Sequence, residues 1–137
     1  NEFIENLKQE ECLGIVYCDV TGLKRVNDSE GHEAGDRLIM NSCGSLKLAF
    51  GEYGLFRIGG DELLAICTGM KEKDLWERTD KLKEDLKKKE IHMAVGAVWE
   101  KDSLSGIDKL ISEAEKRMYQ DKAEYYQSCG IERRKEI

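Results

Sequence analysis

Leu55-Phe56-Arg57-Ile58-Gly59-Gly60-Asp61-Glu62-Leu63-Leu64-Ala65-Ile66-Cys67 is a pair of apolar runs broken by two glycines and two acids. Each run suits a short strand and the break suits a tight connection, so the segment reads as a β-hairpin with Asp61 and Glu62 at its tip. Like charges placed side by side at a tip are costly if nothing there uses them. Upstream, Leu13-Gly14-Ile15-Val16-Tyr17-Cys18 is a continuous apolar run that ends at Asp19, the pattern of a central strand buried on both faces. If the two elements are neighbours in one sheet, Asp19 and Asp61 meet. Converging carboxylates raise each other's pKa unless a cation sits between them, and a hard divalent ion, Mg²⁺ or Mn²⁺, suits oxygen ligands. Such an ion implies phosphate chemistry. The same residues also fit a purely structural arrangement, with Asp61 stabilising a Gly-Gly-Asp turn and Asp19 capping the segment after its strand.

The chain contains no proline, so element boundaries are read from glycines, caps and changes of hydrophobic period. Phe3 to Glu10 reads as the tail of a helix, and a polar turn follows the strand that ends at Asp19. From Glu33 to Phe50 the residues Ile39, Cys43, Leu46 and Phe50 fall on one helical stripe. A Lys/Glu-rich helix runs from about Glu72 to Lys88 with Leu75, Leu82 and Leu86 inward, and a strand follows through Met93, Val95, Ala97 and Trp99. Ser105 can cap a last helix, whose stripe of Ile107, Leu110, Ile111, Ala114 and Met118 carries it to Tyr126. The resulting order predicts an α/β sandwich of the α+β kind: a ferredoxin-like palm with a central, largely antiparallel sheet covered by helices.

Length and composition bound the function. With 137 residues the chain suits one domain, residues 1–137, with one core. It carries 22 Lys+Arg against 28 Asp+Glu, a formal charge of -6, with the lysines interleaved among acids. That balance argues against a partner held by bulk phosphate attraction, so no nucleic acid polymer is expected and any phosphate site is local. No apolar run approaches the roughly 20 residues of a bilayer span, and no membrane contact is expected. Cys12, Cys18, Cys43, Cys67 and Cys129 are an odd set without CxxC spacing or paired histidines, which points to reduced thiols in a cytoplasmic setting. His32 reads as a structural hydrogen-bonding residue, His92 is uninformative, and the Lys83–Lys89 run reads as a solvated helix face. The start at Asn1, without an initiator Met, fits a piece of a longer polypeptide or a processed start.

Taken together, Asp19-Val20-Thr21-Gly22-Leu23-Lys24-Arg25-Val26-Asn27-Asp28, Gly31-His32, Gly35-Asp36 and Arg57-Ile58-Gly59-Gly60-Asp61-Glu62-Leu63 resemble the GGDEF family of diguanylate cyclases, in a GGDEL variant. The resemblance extends from Asn1 to Ala114-Glu115, Met118-Tyr119 and Lys122. It implies a nucleotidyl-cyclase palm in which the 3′-hydroxyl of one GTP attacks the α-phosphate of a second, held by a partner domain. Two such steps make cyclic di-GMP, so a homodimer is implied, and an upstream sensory or regulatory domain that brings the half-sites together. By the same resemblance Asp19, Asp61 and the backbone carbonyl of Val20 are the metal ligands for Mg²⁺ or Mn²⁺. Glu62 completes the acidic site, and Asp61 or Glu62 assists deprotonation of the hydroxyl. Asn27 and Asp36 match the guanine-binding pair, Lys24 and Lys122 match phosphate-contacting lysines, and Gly59 and Gly60 let nucleotide and backbone approach closely.

The chain departs from the family pattern at several positions. Thr21 stands for a second aspartate, and Leu23 and Leu63 stand for phenylalanines, a loss of ring volume on the order of 1 kcal/mol in packing. Tyr125 and Tyr126 stand for a glycine and a phosphate-binding arginine, and Phe50-Gly51-Glu52-Tyr53-Gly54 lacks the RxxD product-inhibition motif. These changes leave a second outcome open: a degenerate GGDEF domain that binds GTP or a partner as a regulatory module without turnover.

Overall fold

The computed structural model describes residues 12–102 and 106–129. Leu13–Val20 forms β1, Leu23–Glu30 α1, His32–Phe50 α2, Gly54–Arg57 β2, Glu62–Thr68 β3, Glu72–Lys88 α3, Met93–Glu100 β4 and Ile107–Cys129 α4. The four strands make one sheet in the order β2-β3-β1-β4, every neighbour antiparallel. β1 is central and all eight of its residues are buried, as its unbroken apolar run requires. The α+β palm with an antiparallel sheet between helices is thus the observed fold.

Strand alternation sends successive side chains to opposite faces and builds two cores. Val16, Cys18, Val20, Ala65, Cys67 and Val95 meet Ile39, Leu46 and Phe50 of α2 and Leu75, Leu82 and Leu86 of α3. Leu13, Ile15, Tyr17, Leu64, Ile66, Ala94 and Val98 meet Leu110, Ala114 and Met118 of α4. Leu63 is buried in the first core with Leu23 packed against it, so the two leucines that stand for rings share one apolar cluster. α2 and α3 are also joined by a polar clasp: Ser45 donates to Asp85 at 2.6 Å, and Lys89 Nζ donates to Ser45 Oγ at 2.8 Å.

α4 lies close against the edge strand β4. A Cβ at Gly96 would overlap the carbonyl oxygen of Ala114 and the backbone nitrogen of Met118. On either side of that contact, Arg117 donates to the Ala97 carbonyl at 2.7 Å, and Asp121 accepts the Val95 N–H at 2.8 Å.

The polar turn expected after β1 is Thr21-Gly22, and helix α1 starts directly after it. The helix is bracketed by Gly22 at φ 82° and Gly31 at φ 91°. These left-handed positions place the change of direction at the ends and leave the interior free to be helical. The predicted helix at Phe3–Glu10 and the Ser105 cap lie outside the described residues.

Candidate functional site

The register of β1 and β3 creates the site. Asp19 is the direct cross-strand partner of Glu62, and the Val20 N–H donates to the Asp61 carbonyl at 2.7 Å. Asp19 and Asp61 therefore stand together at one end of the sheet, with the main chain locking them in place. Asp61 belongs to the tip, whereas Glu62 is already the first residue of β3. The tip is stiffened by Arg57, which donates to the Gly60 carbonyl at 2.6 Å.

Asp19 is 4% exposed. Burial raises its carboxyl pKa, Lys122 pulls the other way, and the charges of Asp61 and Glu62 add to the rise. Lys122 Nζ lies 3.5 Å from Asp19 Oδ2, a loose ion pair, while Asp19 Oδ1 is buried without a hydrogen-bond partner. A buried carboxylate oxygen with no donor is a costly feature unless a cation engages it.

Asp19 lines a cleft of about 950 Å³, large enough for a nucleotide. Asp19, Asp61, Lys24 and Lys122 all line it, so four of the predicted site residues share one cavity. Thr21 and His92 line it too, and Thr21 Oγ1 and His92 Nε2 are likewise buried without partners. Three unsatisfied polar atoms thus belong to residues around a single cleft. The His92 ring stacks on Tyr125 with centroids 3.4 Å apart and planes at 14°, and burial lowers its pKa, which keeps the imidazole neutral at pH 7.

The other predicted residues lie off this cavity. Asn27 turns toward α2, where a Cβ at Gly35 would overlap its Oδ1, and Asp36 is the exposed next residue. The proposed base-binding pair therefore sits on the α1–α2 hairpin, outside the cleft lining. Gly59 and Gly60 have no positive φ, and a Cβ at either meets open space or only ordinary contact with Glu62. The fold itself does not demand glycine there. Glu62 is held by the Tyr17 hydroxyl at 3.1 Å, which also lies 3.1 Å from Glu115 of α4. Tyr17 went unremarked in the sequence as one more residue of an apolar run; the available signal was a hydroxyl two positions before Asp19, hence on the same face of the strand.

Among the described residues, no three His, Cys, Asp or Glu side chains form a ready-made metal cluster. A cation here would rest on two carboxylates and the main chain, with water or phosphate oxygens completing the shell. That is a donor set suited to Mg²⁺, which keeps much of its own hydration. The unpartnered oxygen of Asp19 fits this arrangement.

The fold is a palm of the nucleotidyl-cyclase type. Residues 1–127 match the family described as "Diguanylate cyclase, GGDEF domain", and the chain belongs to the GGDEF family. Over 65 residues it is 40% identical to the cyclic di-GMP phosphodiesterase PdeB of Shewanella oneidensis, a match covering 46% of this chain and 8% of that protein. Over 58 residues it is 34% identical to the probable diguanylate cyclase DgcF of Escherichia coli K12, covering 42% of this chain and 18% of that one. The GGDEF domain of DgcB from Caulobacter crescentus, solved in complex with c-di-GMP, has a TM-score of 0.73 at 15% identity, covering 82% of this chain and 73% of that chain; this likeness shows the fold alone. The matched stretch is a quarter or less of the length of these curated relatives.

Proposed function

We propose that this chain is the catalytic domain of a diguanylate cyclase, condensing two GTP molecules into cyclic di-GMP with release of two pyrophosphates. The observation that carries the reading is the convergence of Asp19 and Asp61, fixed by the Val20 N–H to Asp61 carbonyl bond, with an unpartnered buried carboxylate oxygen on a residue that lines a nucleotide-sized cleft. Asp19, Asp61 and the Val20 carbonyl would hold Mg²⁺ or Mn²⁺, which when bound polarises phosphoryl oxygens and offsets the charge of the leaving pyrophosphate. Lys24 and Lys122 contribute positive charge for the phosphates at the cleft wall. Asp61 or Glu62 takes the proton of the attacking 3′-hydroxyl. Asn27 and Asp36 supply acceptors and donors for the guanine edge. Bare backbone at Gly59 and Gly60, which the fold does not require, leaves room for the ligand to approach.

One copy holds one GTP and cannot close a two-nucleotide ring, so catalysis needs a second copy facing the first. A regulatory segment elsewhere in a longer cytoplasmic protein would set how often the copies meet. A second reading has its own support: Tyr125, stacked on His92, occupies cleft wall where the family pattern has glycine, and Tyr126 stands for a phosphate-binding arginine. In that reading the domain binds GTP, or a partner, as a regulatory module without condensing it. The two are separated by incubating the chain, alone and as a fusion that holds two copies together, with GTP and Mg²⁺ or Mn²⁺. Mass spectrometry showing linear or cyclic dinucleotide supports the enzyme; calorimetric GTP binding with no dinucleotide supports the module.

A further inference from the structure

We propose that Tyr17 is a positioning residue for Glu62, fixing the second acid of the Gly59-Gly60-Asp61-Glu62 segment through a hydroxyl shared with Glu115. The strand register brings these groups together. Tyr17 and Asp19 lie two apart on β1 and point to the same face, and Asp19 is paired directly with Glu62 on β3. The Tyr17 ring is 5% exposed and packed in the core under α4, so its position is set by the ring and the hydroxyl is delivered to a fixed point. That point is 3.1 Å from Glu62 Oε1 and 3.1 Å from Glu115 Oε2.

Among the described residues, the hydroxyl is the only hydrogen-bond partner of the Glu62 side chain. An untethered glutamate at the start of a strand, beside Asp19 and Asp61, would swing away from both through its three rotatable bonds. The tether holds it on the site's face against that repulsion, with Glu115 as the second acceptor that shares the hydroxyl's single proton. α4 thereby reaches the start of β3 through one phenol. Packing in the core gives no reason for that hydroxyl, since phenylalanine would fill the same volume.

The proposal rests on the condensing reading for its effect on rate, while the tether itself can be tested without turnover. In the full chain, Tyr17→Phe keeps the ring and removes the bridge; it is expected to lower kcat for dinucleotide formation about tenfold with the KM for GTP within about twofold. In protein labelled with ¹³C at the glutamate carboxyl, the Glu62 resonance is identified by its loss in Glu62→Gln. It should move in both Tyr17→Phe and Glu115→Ala. An unchanged kcat, or a Glu62 resonance that stays in place, overturns the proposal. A fall in melting temperature and activity together with an unmoved resonance also overturns it, showing a packing role only. If the unsubstituted chain makes no dinucleotide, the condensing reading falls, and the resonance alone decides whether Tyr17 positions Glu62.

Discussion

Replacing Asp19 by asparagine should make the metal-free protein more stable while abolishing any condensation. Asp19 is a buried carboxylate with one oxygen lacking a donor and two acids nearby. An unsatisfied buried charged group costs about 1–3 kcal/mol or more. Against this stands the Lys122 contact, at 3.5 Å and with a part-exposed lysine, the kind of pair worth about 0.2–1 kcal/mol. Asparagine keeps the shape, removes the charge and leaves a buried amide that costs about 1 kcal/mol. The difference favours the variant by about 1 kcal/mol, which for a 137-residue chain is a rise of about 3 °C in Tm.

The pH dependence has a definite sign. Because the Asp19 pKa is raised in the folded chain, the folded state takes up the proton first as pH falls. The cost of the carboxylate is therefore present at pH 8 and shrinks toward the acid range, so the advantage of Asp19→Asn narrows as pH drops. Thermal melts followed by circular dichroism in EDTA, at pH 8 and pH 5, measure both. Added Mg²⁺ or Mn²⁺ should raise the wild-type Tm at pH 8 and leave that of the variant unchanged. A variant that melts below wild type at pH 8 in EDTA refutes the reasoning, because it would mean the carboxylate is well satisfied inside the chain.

Three further outcomes follow from the packing and the site. Gly96→Ala should destabilise by about 3 kcal/mol or prevent folding, since its Cβ meets the backbone of α4; chemical denaturation reads the loss. Gly35→Ala should cost less than about 1 kcal/mol, because only the Asn27 side chain needs to move, yet weaken GTP roughly tenfold in calorimetry if Asn27 holds the base. Asp61→Ala should abolish dinucleotide formation with a Tm within about 2 °C of wild type; full activity would remove Asp61 from the chemistry, and unfolding would assign it to the turn.

The parts of the fold that sequence made legible are those where one period dominates. α3 occupies Glu72–Lys88 as expected because Leu75, Leu82 and Leu86 repeat at helical spacing on a polar background. β1 was visible because a strand buried on both faces has no reason to alternate. The bounds of α1 were not legible because none of its residues is buried, so no apolar stripe marks it. At the site, the convergence of Asp19 and Asp61 was legible from the ends of two strands. What could not be read is register, which a shift of one residue would invert. Register alone places Glu62 opposite Asp19 and within reach of the Tyr17 hydroxyl, which separates its surroundings from those of Asp61. The contacts of Arg117 and Asp121 with β4 were hidden for a similar reason: charged residues on a helix read as solvent-facing until the neighbouring strand is known.

Those last two contacts limit how copies of this domain can join. A bare outer strand invites another chain to continue the hydrogen-bond ladder, the route to uncontrolled polymers. Here the outer flank of β4 is met by a guanidinium and a carboxylate from α4, and the opposite flank, β2, is only four residues long. Pairing through ribbon extension is therefore disfavoured on both sides, which leaves any contact between copies to surfaces other than the sheet edges.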